Sequence, residues 1–157
     1  MYRTEDKPLY DLSPEEVLSL LGYGEARGEI EAGQIAVMWT VRNRVQAGGW
    51  FLDKGIVAAG LSPYHAACLK NAPVHKIVYQ YSCFQDDDPN RLVLLRMAKE
   101  QNFPLIELAK GVVGNMIEDP THGACYYYNP KVCNPAWASS MDVTATIGHH
   151  IFGKIAG

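Results

Sequence analysis

The sequence contains no long apolar run and no excess of positive charge. No window approaches the ~18 consecutive apolar residues of a membrane-spanning helix, so we expect no stable insertion into a membrane. There are 14 lysines and arginines against 17 aspartates and glutamates, a net charge of -3. Nucleic-acid-binding domains are usually basic, so this balance argues against nucleic acid as a partner. The first eight residues carry four charges and no apolar stretch, so we also expect no secretory signal.

The motifs of several enzyme classes are missing. There is no H-E-x-x-H metal motif, and we expect no cofactor and no metal. Neighbouring residues in a strand point to opposite sides, so His149 and His150 are not expected to bind one metal together. Ser82 lacks the G-x-S-x-G context of a serine nucleophile, and Cys83 lacks a cysteine-protease signature. Acyl transfer therefore has no support in the sequence.

The four cysteines form no C-x-x-C pair and fit no zinc spacing. We expect buried, reduced thiols, and a late disulfide between Cys125 and Cys133 stays open as an alternative. With 157 residues, 48% of them hydrophobic, the chain can bury a hydrophobic core large enough to fold without disulfide bonds or a structural metal. No repeat, low-complexity tract or linker interrupts it. We therefore expect one domain over residues 1–157, and a monomer.

Local signals predict several helices and a few strands. Ser13-Pro14-Glu15-Glu16 is a capping box with proline at the first helical position. The helix it opens should bury Val17, Leu18, Leu20 and Leu21. Further helices are predicted over residues 33–45, over 91–101, and from Pro104 to Met116. Strands are predicted over residues 76–81, 124–128 and 143–152. The predicted class is α+β, mainly helical with a small β element, which suits a lysozyme-like architecture and others.

Glu25 is the strongest candidate for chemistry. If the first long helix continues, Leu18, Leu21 and Glu25 fall at i, i+3 and i+7, on the apolar stripe. Loss of hydration favours the protonated form of a carboxyl, which suits a general acid. The flanking Gly22 and Gly24 would let a polymer approach closely. The alternative is a surface carboxylate at a helix end, or an ion-pair partner of a nearby arginine.

A tyrosine run offers a candidate sugar platform. In a strand, Tyr126 and Tyr128 share one face and Tyr127 takes the other. An aromatic ring beside the Asn129 amide suits sugars, which present apolar faces and hydroxyl edges. The alternative is a core strand that ends in a turn at Asn129-Pro130.

Taken in order, these motifs resemble the SleB-type cell-wall hydrolases, which include spore-cortex-lytic enzymes and phage endolysins. The resemblance runs from Tyr23 to Phe152, but the chain departs from the family pattern between Ala59 and His75. The matching segments are Tyr23-Gly24-Glu25-Ala26-Arg27-Gly28-Glu29, Gly33-Gln34-Ile35-Ala36-Val37, Asn43-Arg44-Val45, Gln80-Tyr81-Ser82-Cys83-Phe84, Asp119-Pro120-Thr121-His122-Gly123-Ala124, Tyr126-Tyr127-Tyr128-Asn129-Pro130, Trp137, Ile147-Gly148, His150 and Phe152.

The resemblance implies a fold similar to lysozymes and resuscitation-promoting factors, with the motif-bearing core over residues 13–153. It implies that the catalytic acid is the first glutamate of the Gly-Glu-Ala-Arg-Gly-Glu run, which is Glu25. It also implies that five further residues line the glycan cleft: Gln80, Ser82, Tyr128, Asn129 and His150.

The implied reaction is cleavage of the β-1,4 bond between N-acetylmuramic acid and N-acetylglucosamine in peptidoglycan glycan strands. A lytic transglycosylase needs one carboxyl, whereas a hydrolytic muramidase needs a second, for which Glu29, Asp119 and Asp142 are candidates. A non-catalytic glycan-binding module, or a wall amidase or peptidase, would also act on this polymer, and both classes stay open. We expect a phage endolysin that waits in the host cytoplasm until a holin releases it to the periplasmic wall.

Overall fold

The structure is a computed structural model that describes residues 4–71 and 81–156. The strand predicted over residues 76–81 lies almost entirely outside the described residues, and so does Gln80. Helices predominate in the described part of the chain. The α-helices are α1 Lys7–Tyr10, α2 Pro14–Ala26, α3 Glu31–Ala47, α4 Lys54–Ala58, α5 Pro63–Cys68, α6 Asn90–Glu100 and α7 Ile106–Val113. Short 3₁₀ turns lie at Thr4–Asp6, Gly49–Phe51, Ser82–Phe84 and Ala136–Ser140.

Helix α2 begins with the predicted capping box. The Ser13 hydroxyl accepts a hydrogen bond from the Glu16 amide at 3.1 Å, and the Glu16 carboxylate accepts one from the Ser13 amide at 2.8 Å. Two of the amides that lack helical partners are satisfied in this way, so the start of the helix is fixed by its own sequence. The helix continues to Ala26 and therefore includes Glu25. The four residues predicted on its buried side are all fully buried.

Helix α2 is the centre of the core. It packs against α3, α5, α6 and α7, which surround it with apolar side chains. Because its neighbours enclose it on several sides, its C-terminal end holds Glu25 at a fixed position. In the described residues, no helix is long and apolar enough to cross a bilayer.

Helix α7 is shorter than predicted. Asn115 has a positive φ of 57°, the Met116 amide donates to the Gly111 carbonyl at 2.8 Å, and the Asn115 amide donates to the Val112 carbonyl at 3.2 Å. These two bonds form a Schellman motif, which ends the helix before Met116. The prediction that the helix runs from Pro104 to Met116 is therefore wrong at both ends, and Met116 is 85% exposed.

The three strands in the described part of the chain form one antiparallel sheet in the order β1-β3-β2. They are β1 Tyr126–Tyr128, β2 Met141–Ile147 and β3 His150–Ile155. The prediction of a single strand over residues 143–152 is wrong, because β2 and β3 form a hairpin. Ile147 pairs with His150, so Gly148 and His149 form a two-residue turn. Gly148 has a φ of +58°, the left-handed conformation that such turns require of glycine.

Candidate active site

One cleft of about 420 Å³ brings together residues that are far apart in the sequence. Of the predicted site residues, Glu25, Ser82, Tyr128, Asn129 and His150 all line it, whereas Gln80 lies outside the described residues. Helix α2 contributes Glu25, the turn at residues 82–84 contributes Ser82, strands β1 and β3 contribute Tyr128 and His150, and Asn129 directly follows β1. The cleft therefore lies between the helices and the sheet.

The Glu25 carboxylate accepts hydrogen bonds from two other segments of the chain. Its Oε2 accepts from the Ser82 hydroxyl at 3.2 Å and from the Cys83 amide at 3.0 Å. Its Oε1 accepts from the Tyr127 hydroxyl. The side chain is half-buried, so the carboxyl is fixed in orientation and still reaches the cleft.

The turn that carries Ser82 and Cys83 is itself fixed by the core. Arg91 of α6 is buried, donates to the Phe84 carbonyl at 3.1 Å and pairs with Asp6 at 2.8 Å. On the other side, Gly24 of α2 packs against Cys83 so closely that an added Cβ would lie 2.7 Å from the Cys83 Cβ. The cysteine amide is therefore held directly beside the carboxylate of the next residue of α2.

The glycines of α2 serve packing. Gly22 is buried, and an added Cβ would lie 3.1 Å from the Met38 side chain. The expectation that Gly22 lets a polymer approach is therefore wrong, since the core covers this position. Gly24 does line the cleft, but it also makes the tight contact with Cys83.

Tyr127 is a site residue that strand alternation does not select. Alternation places it opposite Tyr126 and Tyr128, on the core side, yet all three line the cleft. Its ring packs against His150 and Phe152, with centroid distances of 5.1 and 5.6 Å, and its hydroxyl reaches Glu25. Burial, reinforced by the Glu25 charge, raises its pKa well above the usual value, so Tyr127 stays a neutral phenol.

An aromatic wall with a buried cation behind it forms another side of the cleft. The Trp137 ring lies 5.5 Å from Tyr126 and 5.7 Å from Tyr128. Arg44 of α3, which the sequence does not single out either, is buried and donates from Nε to the Cys125 carbonyl at 2.8 Å. Its guanidinium carbon lies 5.4 Å from the centre of the Tyr126 ring. Arg44 therefore attaches β1 to the helical part of the fold.

The other carboxylates lie outside the cleft. All 17 acidic residues of the chain fall within the described residues, and among them only Glu25 lines the cleft. Asp119 accepts hydrogen bonds from Asn43, Thr121 and Gly123 and thereby organises its own loop. Asp142 is exposed on β2, where it pairs in register with Lys154.

Glu29 contacts two adjacent histidines. Its carboxylate accepts from the His149 amide at 2.8 Å and lies 2.7 Å from Nδ1 of His149 and 3.4 Å from Nδ1 of His150. Because His149 lies in the turn and not in a strand, the expectation that the two histidines point to opposite sides is wrong. Burial alone would raise the pKa of Glu29, but these bonds and the histidine charges outweigh it and lower the pKa.

The cysteines differ in exposure. Within the described residues all four are free thiols: Cys68 and Cys83 are buried, Cys125 is half-buried and Cys133 is exposed. The expectation of buried, reduced thiols thus holds for the first two. Cys133 instead lies on the cleft wall.

The family profile described as cell wall hydrolase matches residues 28–153, a range that begins three residues after Glu25. A spore cortex-lytic enzyme of Halalkalibacterium halodurans is 28% identical over 132 residues, which are 83% of this chain and 31% of that protein. A spore cortex-lytic enzyme of Bacillus cereus is 26% identical over 147 residues, 92% of this chain and 46% of that protein. The chain thus spans less than half the length of either relative.

Among solved structures, the catalytic domain of the Bacillus cereus SleB protein matches with a TM-score of 0.53 and 24% identity, covering 98% of both chains. This likeness confirms the predicted lysozyme-like fold class, mainly helical with a small sheet. The profile match extends over most of the sequence, from the loop after α2 to β3. The chain therefore belongs to the cell wall hydrolase family, of the SleB type.

Proposed function

We propose that this chain, as a single catalytic unit, cleaves the β-1,4 bond between N-acetylmuramic acid and N-acetylglucosamine in peptidoglycan, with Glu25 as general acid. The observation that carries the proposal is that Glu25 alone among the acidic residues lines the cleft, where three donors orient its carboxyl. The names of the relatives, spore cortex-lytic enzymes, support a wall substrate.

The hydrogen bonds support different roles for the two oxygens of Glu25. The Cys83 amide can only donate, so Oε2 is the oxygen without a proton when the group is an acid. Oε1 then carries the proton that is donated to the glycosidic oxygen. The Tyr127 hydroxyl donates to a lone pair that Oε1 keeps in both the acid and the carboxylate form, so it stays a partner of Glu25 before and after the transfer and leaves the proton on Oε1 for the glycosidic oxygen.

The second half of the reaction needs no further carboxyl. When the glycosidic bond breaks, the N-acetylmuramic acid ring becomes oxocarbenium-like, and its own 6-hydroxyl attacks the anomeric carbon. Glu25, now a carboxylate, takes the proton of that hydroxyl and returns to the acid form. The product carries a 1,6-anhydro end. A hydrolytic enzyme would need a second carboxyl roughly 5–9.5 Å from that of Glu25. No other acidic residue lines the cleft.

The cleft wall suits a glycan strand. Tyr128 and Trp137 supply aromatic rings that suit the apolar faces of sugars, and Asn129, Ser82 and His150 supply polar groups that suit hydroxyl and amide edges. We propose that these residues bind the strand. Gln80 is kept in this set as a prediction from the family resemblance alone.

We further propose that the enzyme acts as a phage endolysin, held in the host cytoplasm until a holin opens the inner membrane to the periplasmic wall. The resemblance of the motifs to phage endolysins supports this role, whereas the curated relatives suggest the spore cortex. The test is expression in a Gram-negative cell with and without permeabilisation of the inner membrane. Lysis only after permeabilisation supports the role, and lysis by the protein alone contradicts it.

Mass spectrometry of fragments released from purified peptidoglycan tests the reaction itself. We expect muropeptides with 1,6-anhydro ends, lighter by one water than muramidase products. Fragments with reducing muramic acid ends would make the enzyme a hydrolase. Binding to the wall without any released fragment would make it a glycan-binding module, and release of free peptides would make it an amidase or peptidase.

A further inference from the structure

Glu29 links the loop after α2 to the hairpin that carries His150. Its side chain is only 10% exposed, although it follows the exposed Arg27 and Gly28. The Glu29 carboxylate accepts a hydrogen bond from the His149 amide at 2.8 Å. A Cβ added to Gly148 would lie only 2.5 Å from Oε1 of Glu29. A side chain at position 148 would therefore displace the carboxylate. Glycine is thus required at position 148 for two reasons, its positive φ and the close approach of the Glu29 carboxylate.

The ring of His150 has one buried and one available nitrogen. Nδ1 is buried and has no hydrogen bond of standard geometry within the described residues, but Glu29 Oε1 lies 3.4 Å away. The side chain is 11% exposed and lines the cleft with Glu25. Because Nδ1 is inaccessible, Nε2 is the polar atom left to face the cleft.

The carboxylate decides which nitrogen of the neutral ring carries the proton. If Nδ1 were unprotonated, its lone pair would face the negative Oε1 of Glu29, which is repulsive. A proton on Nδ1 instead points a donor towards the carboxylate. The partner of one ring nitrogen fixes the state of the other, so Nε2 then has a free lone pair.

We propose that Glu29 is a positioning residue that acts on the substrate through His150, by fixing the proton on Nδ1 and leaving Nε2 to accept a hydrogen bond from a sugar hydroxyl. This inference rests on the proposed function for the identity of the ligand. Glu29 is then neither a second catalytic carboxyl nor a mere surface charge, and His150 helps to orient the bound sugar beside Tyr127 and Glu25.

A double-mutant cycle tests the coupling. Glu29→Gln and His150→Phe are made singly and together, and the rate of muropeptide release is measured per folded molecule. Phenylalanine keeps a ring to pack against Tyr127 but has no acceptor. We expect each single change to lower the rate by about tenfold, the scale of one hydrogen bond, and the double variant to be no slower than His150→Phe. If the double variant were instead slower by the product of the two single losses in rate, the two residues would act independently and the proposal would be overturned.

The matched control is His149→Ala. Like His150, His149 contacts the Glu29 carboxylate, but the His149 side chain is 60% exposed. The alanine variant keeps the backbone amide, which still donates a hydrogen bond to Glu29. We expect its rate to stay within about twofold of wild type, because surface contacts of this kind contribute little. A loss as large as that of Glu29→Gln would mean that Glu29 acts through His149 and the turn, contrary to the proposal.

Nitrogen-15 NMR of the wild-type histidines gives a readout that does not depend on activity. In the neutral ring of His150 we expect the proton on Nδ1 and an unprotonated Nε2, and in Glu29→Gln a shift towards the opposite tautomer. A neutral ring protonated on Nε2 in wild type would overturn the inference. If the wild-type protein released no glycan fragments, the proposed function would fail, while the NMR result would still decide the role of Glu29.

Discussion

The Tyr127 hydroxyl donates a hydrogen bond to Oε1 of Glu25, joining two residues that are 102 positions apart. Tyr127 lies at the centre of β1, and Glu25 lies one residue before the end of α2. This contact connects the sheet to the central helix at the proposed acid. The ring of Tyr127 packs on Phe152, so the position of the hydroxyl depends on the pairing of β1 with β3.

Removal of that hydroxyl should affect catalysis more than folding. Tyr127→Phe keeps the ring contacts but leaves Oε1 without its partner. We expect muropeptide release to fall about tenfold, the scale of one hydrogen bond to a charged group, with little change in thermal stability. Tyr23→Phe is the control, since the Tyr23 ring packs beneath Arg27 and its hydroxyl has no assigned role. Equal rates for the two variants would contradict the role of Tyr127.

Glu25→Gln tests the general acid. The amide keeps the shape of the side chain and can still accept the Cys83 amide, but it cannot donate a proton to the glycosidic oxygen. We expect a folded protein whose activity is lower by at least ~10²-fold, the usual loss when a general acid is removed. Glu31→Gln, exposed at the start of α3, is the control and should clear wall suspensions normally. Near-wild-type clearance by Glu25→Gln would exclude Glu25 as the acid.

A pair of glycine variants tests how α2 packs on the turn at residues 82–84. Helix propensity favours alanine at position 24 by about 1 kcal/mol, but its Cβ would lie 2.7 Å from Cys83 and 2.8 Å from Leu94. We expect Gly24→Ala to lower the free energy of unfolding by about 1–3 kcal/mol and to lower activity as well. Gly28→Ala, with no atom within 4 Å of the added Cβ, should change neither quantity. Chemical denaturation measures the free energy of unfolding of both variants, and muropeptide release measures their activity.

Tyr128→Ala separates glycan binding from core packing. Tyr128 is half-buried and meets Trp137 edge to face at 5.7 Å on the cleft wall. If the ring contacts the glycan, turnover should fall more than stability does, mainly through a higher KM for soluble glycan strands. Tyr128→Phe, which keeps the ring, should restore binding. A collapse of thermal stability with unchanged activity per folded molecule would make Tyr128 a core residue only.

Asp119 should make stability sensitive to acid. Burial alone would raise its pKa, but hydrogen bonds from Thr121, Asn43 and Gly123 outweigh burial and hold the pKa below its usual value. The stabilisation is therefore complete above the unfolded pKa of about 4 and is lost as the pH falls through the lower folded value. Urea unfolding at pH 7 and at stepwise lower pH should show a weaker acid dependence for Asp119→Asn. Asp142→Asn, a change at an exposed position on β2, should show the same acid dependence of stability as wild type. If stability fell equally with pH in wild type and both variants, Asp119 would not be the source of the acid sensitivity.

The features that can be predicted from sequence are those set by neighbouring residues. The capping box at Ser13 and Glu16 fixes the start of α2, and helical spacing then places Glu25 beside buried leucines. The hairpin is not predicted, because the β-branched residues on both sides of Gly148 have the pattern of one strand. A glycine inside such a run, followed directly by polar residues, is the signal that indicates a two-residue turn.

Contacts between distant segments cannot be predicted in the same way. Tyr127 alternates away from Tyr126 and Tyr128, and only the position of α2 beneath β1 brings its hydroxyl to Glu25. The role of Arg44 depends on the Cys125 carbonyl, 81 residues later. For Glu29 the sequence suggests only the role of a second carboxyl, whereas its contacts with His149 and His150 come from the approach of the hairpin. These cases depend on tertiary packing, which local spacing does not encode.

The hydrogen bonds of Glu25 also determine when a newly made chain could first complete the proposed acid site. They span 57, 58 and 102 residues, so they are long-range contacts, which form late in folding. A nascent chain on the ribosome has no complete set of donors to Glu25 until β1 has emerged and has paired with β3, which follows it in the sequence. Synthesis of α2 alone, or of any fragment that stops before β1, would leave the glutamate without its tyrosine partner, so we expect truncated translation products to lack the proposed activity.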